Sequence, residues 1–103
     1  MITNYMIIGY GWRADFYYRI AKLLPERFSV CAGVLRTEER AKEVAHKEGV
    51  FATSDLDQAL ERKPDFAVLC VPRDVTKDYL VKLMKKGIPV LCETPPGKNV
   101  EEL

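Results

Sequence analysis

Six residues near the amino terminus, Gly9, Tyr10, Gly11, Trp12, Arg13 and Ala14, spell GxGxxA. At this spacing a strand-to-helix turn brings backbone N–H groups against a pyrophosphate. Gly9 permits the tight turn, Gly11 lets the backbone approach an anion closely, and Ala14 is small enough for close helix-to-strand packing. A helix starting here points its positive end at the same place. The same glycines also suit a strand-to-helix turn that holds no ligand, so the motif needs its context. Arg13 reads either as a phosphate contact or as a solvated arginine. Tyr10 and Trp12 flank the turn, either covering a bound cofactor or packing on another domain or subunit.

The second stretch with chemical content is Leu35, Arg36 and Thr37. A site that prefers NAD usually places a carboxylate here to hold the ribose hydroxyls. No carboxylate stands at that point, and Arg36, with Arg40 one turn on, matches the geometry of a ribose 2′-phosphate. The expected cofactor is therefore NADP or NAD, with NADP preferred; an ordinary surface role for Arg36 stays open. His46 sits among Lys47, Glu43 and Glu48 and reads as a solvated helix position.

These residues need a frame, and the chain supplies an alternation. Strands are expected at Tyr5 to Ile8, Phe28 to Leu35, Val50 to Ala52, Phe66 to Val71 and Pro89 to Cys92. Each is a short apolar run bounded by turn residues. Between them lie segments with helical spacing. Trp12 to Leu24 carries Phe16, Tyr17, Ile20, Ala21, Leu23 and Leu24 on one broad apolar face and stops at Pro25. Thr37 caps a second helix with Ala41, Val44 and Ala45 inward and Gly49 at its end. Ser54 with Asp57 resembles a capping box that opens a short helix through Arg62. Val75 to Lys86, with Tyr79, Leu80, Leu83 and Met84 inward, is closed by Gly87. Right-handed crossovers turn this alternation into an α/β fold, a doubly wound, Rossmann-like parallel sheet of order 3-2-1-4-5. Ligands bind such sheets at the carboxyl ends of the strands, here Gly9, Leu35, Val71 and Glu93.

With 103 residues the chain holds one domain at most. Its 48% hydrophobic and 30% charged residues are those of a folded globule rather than a disordered tail. A net charge of +1 argues against charge-driven binding to nucleic acid or anionic lipid. No run approaches the ~20 apolar residues of a membrane span, and no signal sequence is visible, so a cytoplasmic location is expected. Cys31, Cys70 and Cys92 lie in apolar runs and read as buried reduced thiols. Without a CxxC, and with His46 the only histidine, a zinc site has little support.

The segments Val68 to Val75 (VLCVPRDV) and Val90 to Pro96 (VLCETPP) each leave a strand through a proline-containing turn. Together with the glycine turn they make the whole chain resemble the amino-terminal domain of the glucose-fructose oxidoreductase and inositol dehydrogenase family, also called Gfo/Idh/MocA. The resemblance implies that Gly9 and Gly11 hold the pyrophosphate and that Val71 and Pro72 line the nicotinamide ribose. It also matches Glu93 and Pro95 to the outer members of a Glu-Lys-Pro motif. Thr94 stands where the family has the lysine, and its hydroxyl is a poor general base. Thr76 stands where many members have a histidine, and Lys98 lies near enough in sequence to be weighed as a substitute.

The resemblance implies a parent enzyme that transfers hydride to or from a small carbonyl or alcohol. It further implies a second, substrate-binding domain, absent here, so the chain is expected to be part of a longer two-domain protein. The alternative is a nonenzymatic Rossmann module for nucleotide binding or association, which Thr94 and Thr76 favour. Apolar surface left by a missing domain would promote homo-oligomers.

Overall fold

The structure is a computed structural model that describes residues 2–71 and 73–92, with backbone alone at 12, 13, 73–76 and 92. Nine elements alternate: β1 (Thr3–Ile8), α1 (Trp12–Leu23), β2 (Phe28–Val34), α2 (Glu38–Glu48), β3 (Ala52–Thr53), α3 (Leu56–Leu60), β4 (Phe66–Leu69), α4 (Arg73–Lys85) and β5 (Val90–Cys92). The strands pair in parallel in the order β3-β2-β1-β4-β5, which is the expected doubly wound sheet.

Strand side chains alternate between faces, so the central strand feeds two cores. Tyr5 and Ile7 point to one side, where Ala14 and Tyr18 of α1 and Ala41 and Val44 of α2 meet them. Met6 and Ile8 point to the other, against Ala59 of α3 and Leu83 of α4. Tyr5 stacks on Phe66 with ring centroids 5.2 Å apart, and its hydroxyl donates to the Tyr17 carbonyl. The β1–β2 register slips between Tyr5 and Met6, whose partners are Val30 and Ala32. Cys31 is thus the extra residue of a bulge.

The helix caps follow the sequence with one correction, and α3 closes at Leu60 rather than running on through Arg62. The Thr37 hydroxyl accepts from the Arg40 N–H at 3.1 Å, and Gly49 closes α2 at φ 69°. For α3 the cap is Asp55, whose carboxylate accepts from the Asp57 N–H at 2.9 Å, and not Ser54. Ser54 is engaged elsewhere: its N–H, at 2.8 Å, and its hydroxyl both donate to Glu38.

Two apolar faces are narrower than their spacing suggests. The stripe of α1 that meets the sheet is Ala14, Tyr18 and Ala21, whereas Phe16, Leu23 and Leu24 are exposed. In α4, Leu83 is buried and Met84, one residue on, is 71% exposed. Cys31 and Cys70 are both half-buried. No helix among the described residues is long and apolar enough to cross a membrane.

Candidate functional site

The carboxyl ends of β1, β2 and β4 meet at one place because neighbouring strands end level. The Gly9 N–H donates to the Val34 carbonyl at 2.8 Å, and the Cys70 N–H donates to the Ile8 carbonyl at 2.8 Å. Above them opens a cavity of about 380 Å³. Gly9 and Tyr10 form one wall, Leu35, Arg36, Thr37 and Arg40 the second, and Cys70, Val71 and Tyr79 the third. Seven of the residues singled out from sequence, Gly9, Tyr10, Leu35, Arg36, Thr37, Arg40 and Val71, therefore share one cavity. Pro72, Thr94, Pro95, Lys98 and Glu93 lie outside the described residues. Trp12 and Arg13 open α1 in backbone, and the roles expected of their side chains, like that of Thr76, fall outside what is described.

The two glycines do different work. Gly9 sits at φ 101°, and a β-carbon there would overlap the Cys70 carbonyl oxygen and lie 2.9 Å from Val71 Cγ1. Its job is to let the turn close on β4. Gly11 is the N-cap of α1 at φ 144°; among the described residues nothing lies within 4 Å of where its β-carbon would be, and no side chain caps the helix. Gly11, which opens this twelve-residue helix, directly follows Tyr10 of the cavity wall. A helix N-terminus that opens on glycine with no side-chain cap fits a pyrophosphate.

The rim carries positive charge. Arg36 is exposed and makes no ion pair among the described residues, while Arg40 has only an exposed contact to Glu43 at 3.9 Å. Among the described residues no carboxylate lines the cavity. Glu38, two residues from Arg36, is bound to Ser54, and these hydrogen bonds hold its carboxyl below the ordinary carboxylate range. Among the described residues no group of three or more His, Cys, Asp or Glu side chains is placed to hold a metal ion.

Tyr10 is half-buried, and its hydroxyl donates to Glu48 Oε2 at 2.8 Å. Its ring lies 6.0 Å from that of Tyr18, and Lys47 Nζ sits 5.4 Å from its centre. It is thus anchored as a wall of the cavity. Sequence reasoning missed Glu48, which it placed among solvated residues; the carboxylate is 2% exposed and accepts from Lys22 Nζ at 2.6 Å. The signal was present, because Glu48 continues the buried Ala41–Val44 stripe. Tyr79 was assigned to the inner face of α4, with no sign that it would also reach the cavity.

This chain is similar to known proteins along nearly its whole length. It is 33% identical over 103 residues to the scyllo-inositol 2-dehydrogenase (NADP(+)) IolU of Bacillus subtilis, covering 98% of this chain and 31% of that protein. An oxidoreductase from Thermotoga maritima, 29% identical, superposes with a TM-score of 0.77 over 98% of this chain and 32% of its own. GenD2 of gentamicin A biosynthesis, solved with NAD, shares the fold with a TM-score of 0.78 at 23% identity, over 90% of this chain and 27% of its own. The chain spans about a third of the length of these relatives. A family model described as an oxidoreductase family with an NAD-binding Rossmann fold matches residues 3–103, and the chain belongs to that family, the Gfo/Idh/MocA oxidoreductases.

Proposed function

We propose that this chain is the dinucleotide-binding part of an oxidoreductase that prefers NADP to NAD and exchanges hydride with a small alcohol or carbonyl compound. The observation that carries the cofactor preference is the rim: two arginines, Arg36 and Arg40, and no carboxylate among the described residues that line the cavity beside the glycine turn. A guanidinium pairs with a phosphate in two parallel hydrogen bonds, and a ribose 2′-phosphate would meet Arg36 at this position. The Bacillus subtilis relative carries NADP(+) in its name, and its alcohol, an inositol, suggests a cyclic polyol or a sugar as the substrate class.

In this reading the first-turn N–H groups of α1 and the backbone of Gly11 hold the pyrophosphate, while Val71 bounds the nicotinamide side. When bound, the nicotinamide supplies or accepts the hydride. Pro72 and Glu93 complete the nicotinamide side. Thr94 offers no basic side chain, so proton transfer to the substrate oxygen falls to a group in a further domain, which also supplies most substrate contacts. The reduced Cys31 thiol fits a cytoplasmic, reducing compartment. The exposed Phe16, Leu23 and Met84 are suited to cover by that domain or by a second copy.

Calorimetric titration of the chain with NADPH and NADH tests the cofactor reading. Tighter NADPH binding is expected, and Arg36→Ala should weaken NADPH by about tenfold or more, the worth of a charge-assisted hydrogen bond, with NADH little changed. Equal affinities, or NADPH binding indifferent to Arg36→Ala, would overturn it.

A further inference from the structure

Glu48 is a buried carboxylate in the last turn of a helix, where the helix dipole repels negative charge and burial adds a desolvation cost. An apolar residue would complete the Ala41–Val44 stripe without either cost. What the charge obtains is a pair of bonds that no apolar side chain could make. Glu48 Oε1 accepts from Lys22 in the last turn of α1, and Oε2 accepts from Tyr10, which directly precedes the N-cap Gly11. One carboxylate on α2 therefore ties down both ends of α1. Lys47, over the Tyr10 ring, holds the same tyrosine from a second side.

We propose that Glu48 is a positioning residue for anion binding, fixing the glycine turn and the open end of α1 through Tyr10 and Lys22. Hydrogen-bond donors recognise a pyrophosphate only when their geometry is set in advance. The α1 end has no side-chain cap to set it. The Tyr10–Glu48–Lys22 link does so from behind, away from the ligand. The inference rests on the dinucleotide reading and adds a residue that touches no part of the dinucleotide.

The test uses two probes on the same chain. NADPH needs the glycine turn, whereas 2′-AMP carries only the adenosine and the phosphate expected at Arg36. Glu48→Gln should raise the Kd for NADPH by about tenfold, the scale of one charge-assisted hydrogen bond, and leave that for 2′-AMP within about twofold. Tyr10→Phe keeps the ring and removes only the hydroxyl, so it tests the link even where Glu48→Gln fails to fold; it should reproduce most of the loss. The double variant should be no worse than Glu48→Gln alone, because both act through one bond. NADPH binding unchanged in Tyr10→Phe, or NADPH and 2′-AMP weakened in parallel, would overturn the proposal, the second result showing general loosening. Failure of the unsubstituted chain to bind either probe would instead remove the dinucleotide reading, and this inference with it.

Discussion

The two glycines of the first turn offer the sharpest separation of folding from binding. In Gly9→Ala the new methyl would overlap the Cys70 carbonyl oxygen, 2.8 Å from its carbon and 2.9 Å from Val71 Cγ1, with φ at 101°. Two of those neighbours are backbone atoms of the β4 end, so no rotamer change relieves the overlap. Left-handed backbone costs a non-glycine residue about 1–2 kcal/mol, and forced displacement in a packed region adds about 1–3 kcal/mol. A loss of about 2–5 kcal/mol is a large part of the roughly 5–15 kcal/mol that holds a domain together. At about 4–8 °C per kcal/mol for a domain of this size, Tm should fall by roughly 10–40 °C. Gly11→Ala meets no atom within 4 Å and pays only for its φ of 144°, about 1–3 kcal/mol. In the proposed reading, however, its methyl stands where the pyrophosphate approaches the α1 N–H groups. NADPH affinity should fall by about 10–100-fold, the worth of a charged hydrogen bond or more. Circular-dichroism melts and calorimetric titrations of both variants read the two effects separately. A Gly9→Ala chain that melts like the unsubstituted one, or a Gly11→Ala chain that binds NADPH as tightly, would refute the division of labour.

Three further outcomes follow from the same geometry. Glu48 is pushed up by burial, but the bonds from Lys22 and Tyr10 and the charges of Lys22 and Lys47 pull its carboxyl below its ordinary value of 4.5. The folded chain then binds fewer protons than the unfolded one, so the stabilisation is complete above about pH 4.5 and drains as pH falls through the lower folded value; Lys22→Met should shrink that acid-side slope in melts run across the acid range. Ser54→Ala removes the hydroxyl bond to Glu38 but keeps the backbone N–H that also holds the carboxylate, so NADPH affinity should stay within about twofold, whereas Glu38→Gln, which removes the negative charge two residues from Arg36, should tighten NADPH with NADH unchanged in the same titrations. Tyr18→Phe removes a buried hydroxyl that has no hydrogen-bond partner among the described residues, which should raise stability by about 1 kcal/mol in denaturant titration. Gly33→Ala, whose methyl would overlap that hydroxyl, should cost less stability in the Tyr18→Phe background.

The sheet order was legible because each strand announces itself locally and parallel crossovers leave few topologies to choose from. The glycine turn and the Arg36 rim were legible for a related reason: each is a contiguous stretch at the end of a strand, and the fold rule says that such ends converge. What spacing does not reveal is how far around a helix the sheet reaches. Phe16, Leu23 and Met84 lie at helical intervals from buried residues, yet the strands cover a narrower arc and leave them exposed. The cap of α3 went to Asp55 for a comparable reason, since Ser54 and Asp55 are both good caps and the choice is made by Glu38, sixteen residues away.

Glu48 lies between these cases. Its interval from Ala41 and Val44 marks it as inward-facing, and a carboxylate turned into a packed face must find donors or lose its charge. Its burial was therefore readable in the sequence, and with it the demand for partners. Tyr10 and Lys22 as those partners were not readable, because they sit on a different element and meet Glu48 only once α1 and α2 pack side by side on the sheet. A charge that falls on an apolar stripe is thus a sequence-level sign of a buried polar link, and the residues that complete the link follow from which elements the topology sets next to each other.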